Sequence, residues 1–149
     1  MDIPFTERRS QIGALFTISD WEGLQKLGIA MVEGAGPFDC ASYVVGKLGY
    51  VSTSETLSVV HNAVRVPNPP SRQNIIIYSF KYGKSAQHYG LYERGKVISK
   101  WCQGPVFMHS IEDVPDGYGN WAEFIEVTTD LRHRLQQAQV GRILGPDYY

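Results

Sequence analysis

Two short segments of the chain carry side chains that can do chemistry together. Residues 38–44 (FDCASYV) set Cys40 directly behind an aspartate that can cap a helix, and residues 87–92 (QHYGLY) set His88 at the head of an alternating, aromatic-rich pattern. A thiol becomes a useful nucleophile when a helix N-terminus and a nearby imidazole favour its thiolate. The two segments therefore predict Cys40 as a nucleophile and His88 as its base.

The other histidines and the second cysteine do not form a recognisable metal site. The chain has four histidines and two cysteines, with no CxxC spacing and no pair of ligands at i and i+4. Two cysteines are also too few for a disulfide framework. We therefore expect no metal or cofactor, read His61 and His133 as structural residues on helices, and expect Cys102 to be a small buried side chain.

Composition predicts a globular chain without a nucleic-acid or membrane partner. Of the 149 residues, 43% are apolar and 19% are charged, which suits one domain over residues 1–149. Fourteen basic and fifteen acidic residues leave a net charge of −1 with no basic block, so nucleic-acid binding is not expected. No apolar run is long enough to span a membrane, and residues 1–9 contain no apolar signal region. The expected location is the cytoplasm, with export by a specialised secretion system as the alternative.

Capping residues and apolar periodicity predict four helices. A capping-box spacing joins Ser19 to Glu22, and apolar residues then recur at helical intervals. Asp39 can cap the second helix, so Cys40 falls in the first turn, where unpaired N–H groups and the positive end of the helix dipole lie. Asp130 can cap the last helix in the same way. The predicted helices cover about residues 20–33, 39–48, 54–64 and 130–144.

After residue 73 the apolar period changes from helical to strand-like. β-Branched and aromatic residues recur in five runs, and Arg94 and Gly95 form a tight turn between two of them. Because helices come first and antiparallel strands follow, the pattern predicts an α+β fold. The predicted strands cover residues 74–80, 88–93, 96–102, 106–109 and 121–128.

The order of these motifs resembles the NlpC/P60 group of papain-like cysteine hydrolases. In that group an Asp-Cys-Ser/Ala-small-aromatic segment carries the nucleophile, which residues 39–43 (DCASY) match. A His-hydrophobic-Gly-hydrophobic-Tyr strand carries the base, which residues 88–92 (HYGLY) match, and residues 99–109 (SKWCQGPVFMH) resemble an uncharacterised bacterial branch of the group. The similarity covers about residues 38–127. It implies a papain-like core, with N-terminal helices packed on an antiparallel β-meander and a C-terminal helix.

The resemblance implies a cysteine peptidase or amidase that cleaves amide bonds, often in peptidoglycan stem peptides. Some papain-like relatives perform acyl transfer or deamidation instead, and a non-catalytic module that binds a peptide or a partner is the remaining alternative. The expected ligand is thus a small peptide or an acyl group, and the sequence specifies no protein partner. In papain-like sites the backbone N–H of the nucleophile helps to stabilise the oxyanion, a role that falls to Cys40, with the Tyr43 hydroxyl as a second candidate.

The third catalytic position is where the sequence departs from the group. A polar residue on the next strand, usually a second histidine, orients the imidazole in NlpC/P60 enzymes, and Ser99 stands at that position. If residues 94–95 form a two-residue turn, Gly90 pairs with Ser99, which then lies diagonally about 7–8 Å from His88 between backbones. Because a serine side chain is too short to close that gap, three alternatives stay open. They are His109, Gln103 and a water held by Ser99, so the candidate catalytic set is Cys40, His88, Ser99 and His109.

Overall fold

The structure is a computed structural model that describes residues 1–36, 38–81, 83 and 85–144, with side chains as far as Val140. The described residues form five α-helices: α1 (Glu7–Thr17), α2 (Trp21–Lys26), α3 (Cys40–Lys47), α4 (Ser54–His61) and α5 (Thr129–Leu144). They also form six strands: β1 (Ala30–Glu33), β2 (Gln73–Ser79), β3 (His88–Glu93), β4 (Lys96–Lys100), β5 (Val106–His109) and β6 (Trp121–Glu126). A short 3-10 helix, Asp116–Tyr118, precedes β6.

All six strands belong to one antiparallel sheet in the order β1-β5-β4-β3-β2-β6, so the predicted α+β class is confirmed. Strands β2 to β5 pair with their neighbours along the chain, whereas β1 and β6 add to the two edges. Within the described part of the chain, none of the helices combines the length and apolar character that a membrane crossing requires.

The region before Cys40 differs from the single helix predicted over residues 20–33. Helix α2 ends at Lys26, Gly28 adopts a left-handed φ of 88°, and the chain returns as β1 beside β5. Asp20 caps α2 in place of Ser19, since its carboxylate accepts the N–H of Gly23 at 2.8 Å. The apolar residues of 20–33 thus serve two elements, because Gly28 reverses the chain between them.

The meander from β2 to β5 follows the prediction closely. The turn at Arg94 and Gly95 has φ values of 55° and 80°, and it sets the predicted pairs Glu93↔Lys96 and Tyr92↔Val97. The β3–β4 ladder ends at Leu91↔Ile98, so the predicted pairing of Ser99 with Gly90 is not part of it. Gly90 still lies beside Ser99, since a Cβ at Gly90 would lie 3.0 Å from the Cβ of Ser99. The chain leaves β4 after Lys100 and bends at Trp101, whose N–H bonds the carbonyl of Pro105.

The sheet has two differently covered faces, which alternate along β2. On the face that we call the helical face, Ile75 and Ile77 pack with α3, α4 and α5. On the opposite side, the N-terminal face, Ile76 and Tyr78 pack with α1, α2 and the segment 111–118. The helical face is covered by Val44, Val45, Val60, Leu131 and Leu135, and the N-terminal face by Ile12, Leu24, Val114 and Trp101.

Candidate functional site

Cys40 is the first residue of α3, as the sequence predicts. The carboxylate of Asp39 accepts the N–H of Ser42 at 2.8 Å and caps the helix, and Gly49 follows its end with a φ of 99°. Cys40 itself is half-buried against the helical face. The thiol therefore lies at the N-terminal end of a helix that leaves unpaired backbone N–H groups beside it.

The Cys40 sulfur contacts the start of β3. Burial and the negative charge of Asp39 raise the pKa of the Cys40 thiol, while hydrogen bonds from the backbone N–H groups of Tyr89 and Ala41 lower it. Burial is the largest of these effects, so the pKa stays above its ordinary value and the resting group is a thiol. Tyr89 follows His88 directly, so Cys40 packs beside the start of β3, with the Tyr89 side chain on the helical face and the His88 ring on the opposite face.

His88 is buried on the N-terminal face, at the beginning of β3. It pairs across the ladder with Tyr78, and its ring lies flat against the ring of Tyr118, with centroids 4.2 Å apart and planes within 1°. Burial, and secondarily the nearby His109, hold the pKa of His88 well below 6.5, so the imidazole is neutral at physiological pH. A neutral imidazole is the form that can accept a proton.

No hydrogen bond from a described residue to its Nε2 orients the His88 ring, unlike the histidine of a catalytic triad. Its Nε2 atom is buried and has no hydrogen-bonding partner among the described residues. Within the same part of the chain, no hydrogen bond joins the Cys40 sulfur to the imidazole. A buried polar nitrogen without a partner costs free energy, typically about 1–3 kcal/mol, and therefore needs an explanation.

Ser99 and His109 are hydrogen-bonded to each other, and neither is hydrogen-bonded to His88. Ser99 Oγ lies 2.8 Å from His109 Nε2, and Trp101 Nε1 donates to the same oxygen at 3.0 Å. His109 Nδ1 lies 2.6 Å from the carbonyl oxygen of Ser110, so Nδ1 carries the proton and Nε2 accepts from the serine hydroxyl. Burial lowers the pKa of His109 to about 4, which keeps this neutral arrangement.

Gln103 and Tyr43 also face other groups. Gln103 is exposed, and its backbone carbonyl oxygen accepts the N–H of Gly36 at 3.3 Å. The Tyr43 hydroxyl lies near the carboxylate of Glu33, and burial together with that negative charge raises the pKa of Tyr43 to about 12. Neither side chain bonds to His88 in the part of the chain that the structure describes.

Two further sequence interpretations can be compared with the structure. Cys102, expected to be buried, is exposed in the turn between β4 and β5, where it adopts a left-handed φ of 54°. The turn leaves its side chain outside the core because only Trp101 and Pro105 point inward there. His61 has a structural contact, since its Nδ1 lies 2.5 Å from the Tyr89 hydroxyl. Among the described residues there is no cluster of three or more potential metal ligands.

Tyr118 is the part of the site that sequence reasoning misses. It ends the short 3-10 helix, 30 positions after His88 in the chain, and its hydroxyl lies 3.9 Å from Cys102 Sγ. Gly119 follows with a φ of 100°, and a Cβ at that position would lie 2.1 Å from the carbonyl oxygen of Ser79. The glycines at 117 and 119 indicate a turn, but nothing local indicates which ring Tyr118 contacts.

Arg9 holds the same segment from the other side. It is 1% exposed, on the inner surface of α1, and it forms no salt bridge with a described carboxylate. Its five N–H donors are all used, which is the complete capacity of a guanidinium. The acceptors are the carbonyl oxygens of Ile3, Pro4, Val114, Pro115 and Gly119, at 2.6–3.2 Å. Arg9 therefore ties α1 to the loop that carries Tyr118.

Comparison with known proteins does not assign the chain to a family. No family model matches the chain, and no curated protein or solved structure is significantly similar to it. The interpretation of Cys40 and His88 therefore depends on their own surroundings and on the two motifs that resemble NlpC/P60 hydrolases.

Proposed function

We propose that the protein is a cysteine-dependent amide hydrolase with a papain-like core, in which Cys40 is the nucleophile and His88 the base. One contact carries the proposal. Helix α3 packs against β3, and Cys40, the first residue of α3, packs beside Tyr89, which follows His88. Tyr118, whose ring lies against His88, is also close enough to Cys40 for the two to interact electrostatically. A helix start and a histidine-bearing strand start are the two elements that such a site needs.

The protonation states favour general-base catalysis over a resting thiolate–imidazolium pair. The pKa of Cys40 is raised and that of His88 is lowered, so the resting partners are a thiol and a neutral imidazole. As the sulfur attacks the substrate carbonyl carbon, the thiol proton passes to His88 and the carbonyl oxygen takes the negative charge. The tetrahedral intermediate then expels the amine, which receives the proton from His88, and water hydrolyses the remaining thioester.

The oxyanion can be stabilised by the start of α3. The N–H groups in the first turn of a helix have no intrahelical acceptor. Asp39 accepts the N–H of Ser42, and the N–H of Ala41 donates to the sulfur. The N–H of Cys40 has no acceptor among the described residues, which suits it to bind the developing negative charge.

The substrate class is proposed from the motif resemblance. Short peptides with γ-glutamyl or D-amino-acid linkages, such as peptidoglycan stem peptides, are the first candidates. We expect Cys40→Ala to abolish the release of fragments from stem peptides while the thermal midpoint stays nearly unchanged, since alanine is close in size to a small thiol. Stem-peptide cleavage that persists in Cys40→Ala would contradict the proposal.

A non-catalytic binding module is the second candidate, and the unpartnered His88 Nε2 is the observation that favours it. Iodoacetamide distinguishes the two in a Cys102→Ala background, because Cys40 is then the only thiol of the chain. For a hydrolase, His88→Ala should slow Cys40 alkylation at pH 7 by at least about tenfold, within the usual range of general-base assistance. An unchanged alkylation rate would favour the binding module.

Reaction with an acyl-activated ester distinguishes a hydrolase from an acyltransferase or deamidase that uses the same nucleophile. A stable covalent adduct at Cys40, formed without any cleavage of stem peptides, would favour an acyltransferase or deamidase. Rapid turnover of the ester together with stem-peptide cleavage supports the hydrolase. The Cys40→Ala variant is the control for both readouts, because it removes only the attacking sulfur.

A further inference from the structure

The proposed base lacks the hydrogen-bond acceptor that usually stabilises a catalytic imidazolium. When His88 takes the thiol proton it becomes a buried cation, and its Nε2 has no described partner to receive a hydrogen bond. Ser99 and His109 are not available, because the serine hydroxyl donates to His109 Nε2 and accepts from Trp101 Nε1. The His109 Nδ1–H is used by the carbonyl of Ser110. Something other than a hydrogen bond must therefore orient and stabilise the protonated ring.

The described side chain that covers the face of His88 is Tyr118. The two rings are 4.2 Å apart and parallel to within 1°, whereas the next ring, Tyr78, lies 5.8 Å away and is tilted by 38°. The face of a phenol ring carries negative charge, and it attracts a cation that lies over it. Burial raises the pKa of Tyr118, so the ring stays a neutral phenol while His88 changes its charge.

Tyr118 is held rigidly enough to act as a platform. The rings of Phe16 and Trp101 meet it edge-on, at 6.2 and 6.4 Å between centroids and at 85° in both cases. The residue after it, Gly119, is fixed by its contact with Ser79 and by the guanidinium of Arg9. The stack on His88 is therefore set by the core of the N-terminal face, not by a mobile surface side chain.

We infer that Tyr118 is the positioning residue of the site: its flat ring orients His88 and stabilises the imidazolium through a cation–π contact, in place of a hydrogen-bonded third residue. The inference rests on the proposed function, because Tyr118 acts only through His88. The titratable groups that face the imidazole are Tyr78 on β2, His109 on β5 and Tyr118 itself. Cys40 on α3 and Cys102 interact electrostatically with Tyr118.

The experiment compares variants that keep or remove the ring at position 118, in the Cys102→Ala background. This background leaves Cys40 as the only thiol and removes the sulfur that faces the Tyr118 hydroxyl. Tyr118→Phe keeps the stack and should alkylate at Cys40 within about twofold of the parent. Tyr118→Leu should be about ten- to thirty-fold slower at pH 7, as expected for the loss of a desolvated cation–π contact. Phe124→Leu is the control for a lost aromatic ring in the same core, because the ring of Phe124 lies against Tyr92 and not against Tyr118 or His88.

A second measurement reports the stack without any chemistry at Cys40. The His88 ring protons should show a strong upfield ring-current shift in NMR spectra of the parent and of Tyr118→Phe, and this shift should disappear in Tyr118→Leu. If Tyr118→Leu does not fold, replacement of Tyr118 by pentafluorophenylalanine keeps the shape of the ring but reverses the charge on its face. That replacement should slow alkylation as much as leucine does.

The outcomes separate the inference from the function on which it rests. If His88→Ala does not slow Cys40 alkylation, the proposed function fails. If His88→Ala slows it but Tyr118→Leu or the fluorinated ring matches Tyr118→Phe, the inference alone is overturned. An equal loss in Phe124→Leu would also overturn it, because the effect would then reflect general packing. The inference is supported if alkylation is slow only in Tyr118→Leu and in the variant with pentafluorophenylalanine at position 118.

Discussion

The two faces of the sheet are built in different ways, and each contributes one half of the candidate site. The helical face carries the thiol on α3 and is packed mainly with aliphatic side chains from regular helices. The N-terminal face carries the imidazole and is covered by α1, α2 and a largely irregular segment. The polar or charged residues buried almost completely on this face include Arg9, Asn74, His88, Ser99 and His109.

The difference is one of energetics as well as of composition. Aliphatic packing tolerates changes that conserve volume, usually at a cost below about 1.5 kcal/mol. A buried polar network depends on every partner, since removing one leaves the others desolvated and unpaired. The N-terminal face should therefore be much more sensitive to single substitutions than the helical face, and its sensitivity should depend on pH.

The largest expected effect is the loss of the buried guanidinium of Arg9. Arg9→Met removes the charge and leaves five carbonyl oxygens without their donor. We expect the free energy of unfolding, measured by urea denaturation, to fall by about 3–5 kcal/mol. Arg8→Met is the matched control, because Arg8 is 44% exposed and pairs with Asp113 at the surface, so it should cost only about 1 kcal/mol or less. Equal losses in the two variants would remove the distinction between the faces.

The second effect is a loss of stability in mild acid. The pKa of His109 is about 4 in the folded protein and about 6.5 when unperturbed, so between these values the unfolded chain binds a proton that the folded chain does not. The contribution of His109 to the free energy of unfolding should therefore be constant above about pH 7. It should fall as the pH drops toward 4, on the order of 3 kcal/mol from this residue. His88, whose pKa is also lowered by burial, acts in the same direction.

Urea denaturation at pH 7, 5.5 and 4.5 measures this dependence. Carboxylates titrate in the same range, so the relevant quantity is the difference between the parent protein and His109→Gln. The variant should lose less stability than the parent between pH 7 and pH 4.5. Parallel pH profiles would show that His109 is not the buried neutral group that the structure describes.

A smaller effect is expected for Ser99→Ala. The substitution leaves Trp101 Nε1 and His109 Nε2 buried without a partner, and we expect the free energy of unfolding to fall by about 2–3 kcal/mol, the low end for two unpaired groups. Ser52→Ala, which removes a half-buried hydrogen bond to Ser42 on the other side of the sheet, should cost about 0.5 kcal/mol. The comparison uses the same chemical change on both faces. A larger loss in Ser52→Ala would reverse the expected order.

The smallest effect concerns the start of α3. Asp39→Ala removes the hydrogen bond to the N–H of Ser42, and loss of such a cap costs about 1 kcal/mol. Asp130→Ala is the control, because Asp130 lies inside α5 and forms only an exposed ion pair with Arg134. The hydroxyl of Thr128 accepts the N–H of Leu131 and takes the capping position instead. Thermal unfolding should therefore distinguish the two aspartates, which the sequence alone treats as equivalent caps.

Several elements of the fold could be predicted from short-range patterns in the sequence. The capped helix that begins at Cys40, the turn at Arg94 and Gly95 and the meander around it all follow from capping chemistry, turn residues and periodicity. These signals lie within a few residues of the structure that they produce. They were sufficient to find the strand that begins with His88, and to indicate that Ser99 is too short to reach it.

The surroundings of the imidazole depend on contacts between segments that are far apart in the sequence. Arg9 belongs to α1, a helix whose apolar residues do not recur at a clear helical interval, so the sequence does not indicate which side is buried. Three of the carbonyl oxygens that Arg9 bonds, those of Val114, Pro115 and Gly119, lie 105 to 110 positions further along the chain. Whether Ser99 bonds His88 or His109, and which ring covers His88, likewise depends on how separate segments meet. Such contacts are selected by the need to satisfy every buried polar group at once, which is a property of the whole fold and leaves no local pattern in the sequence.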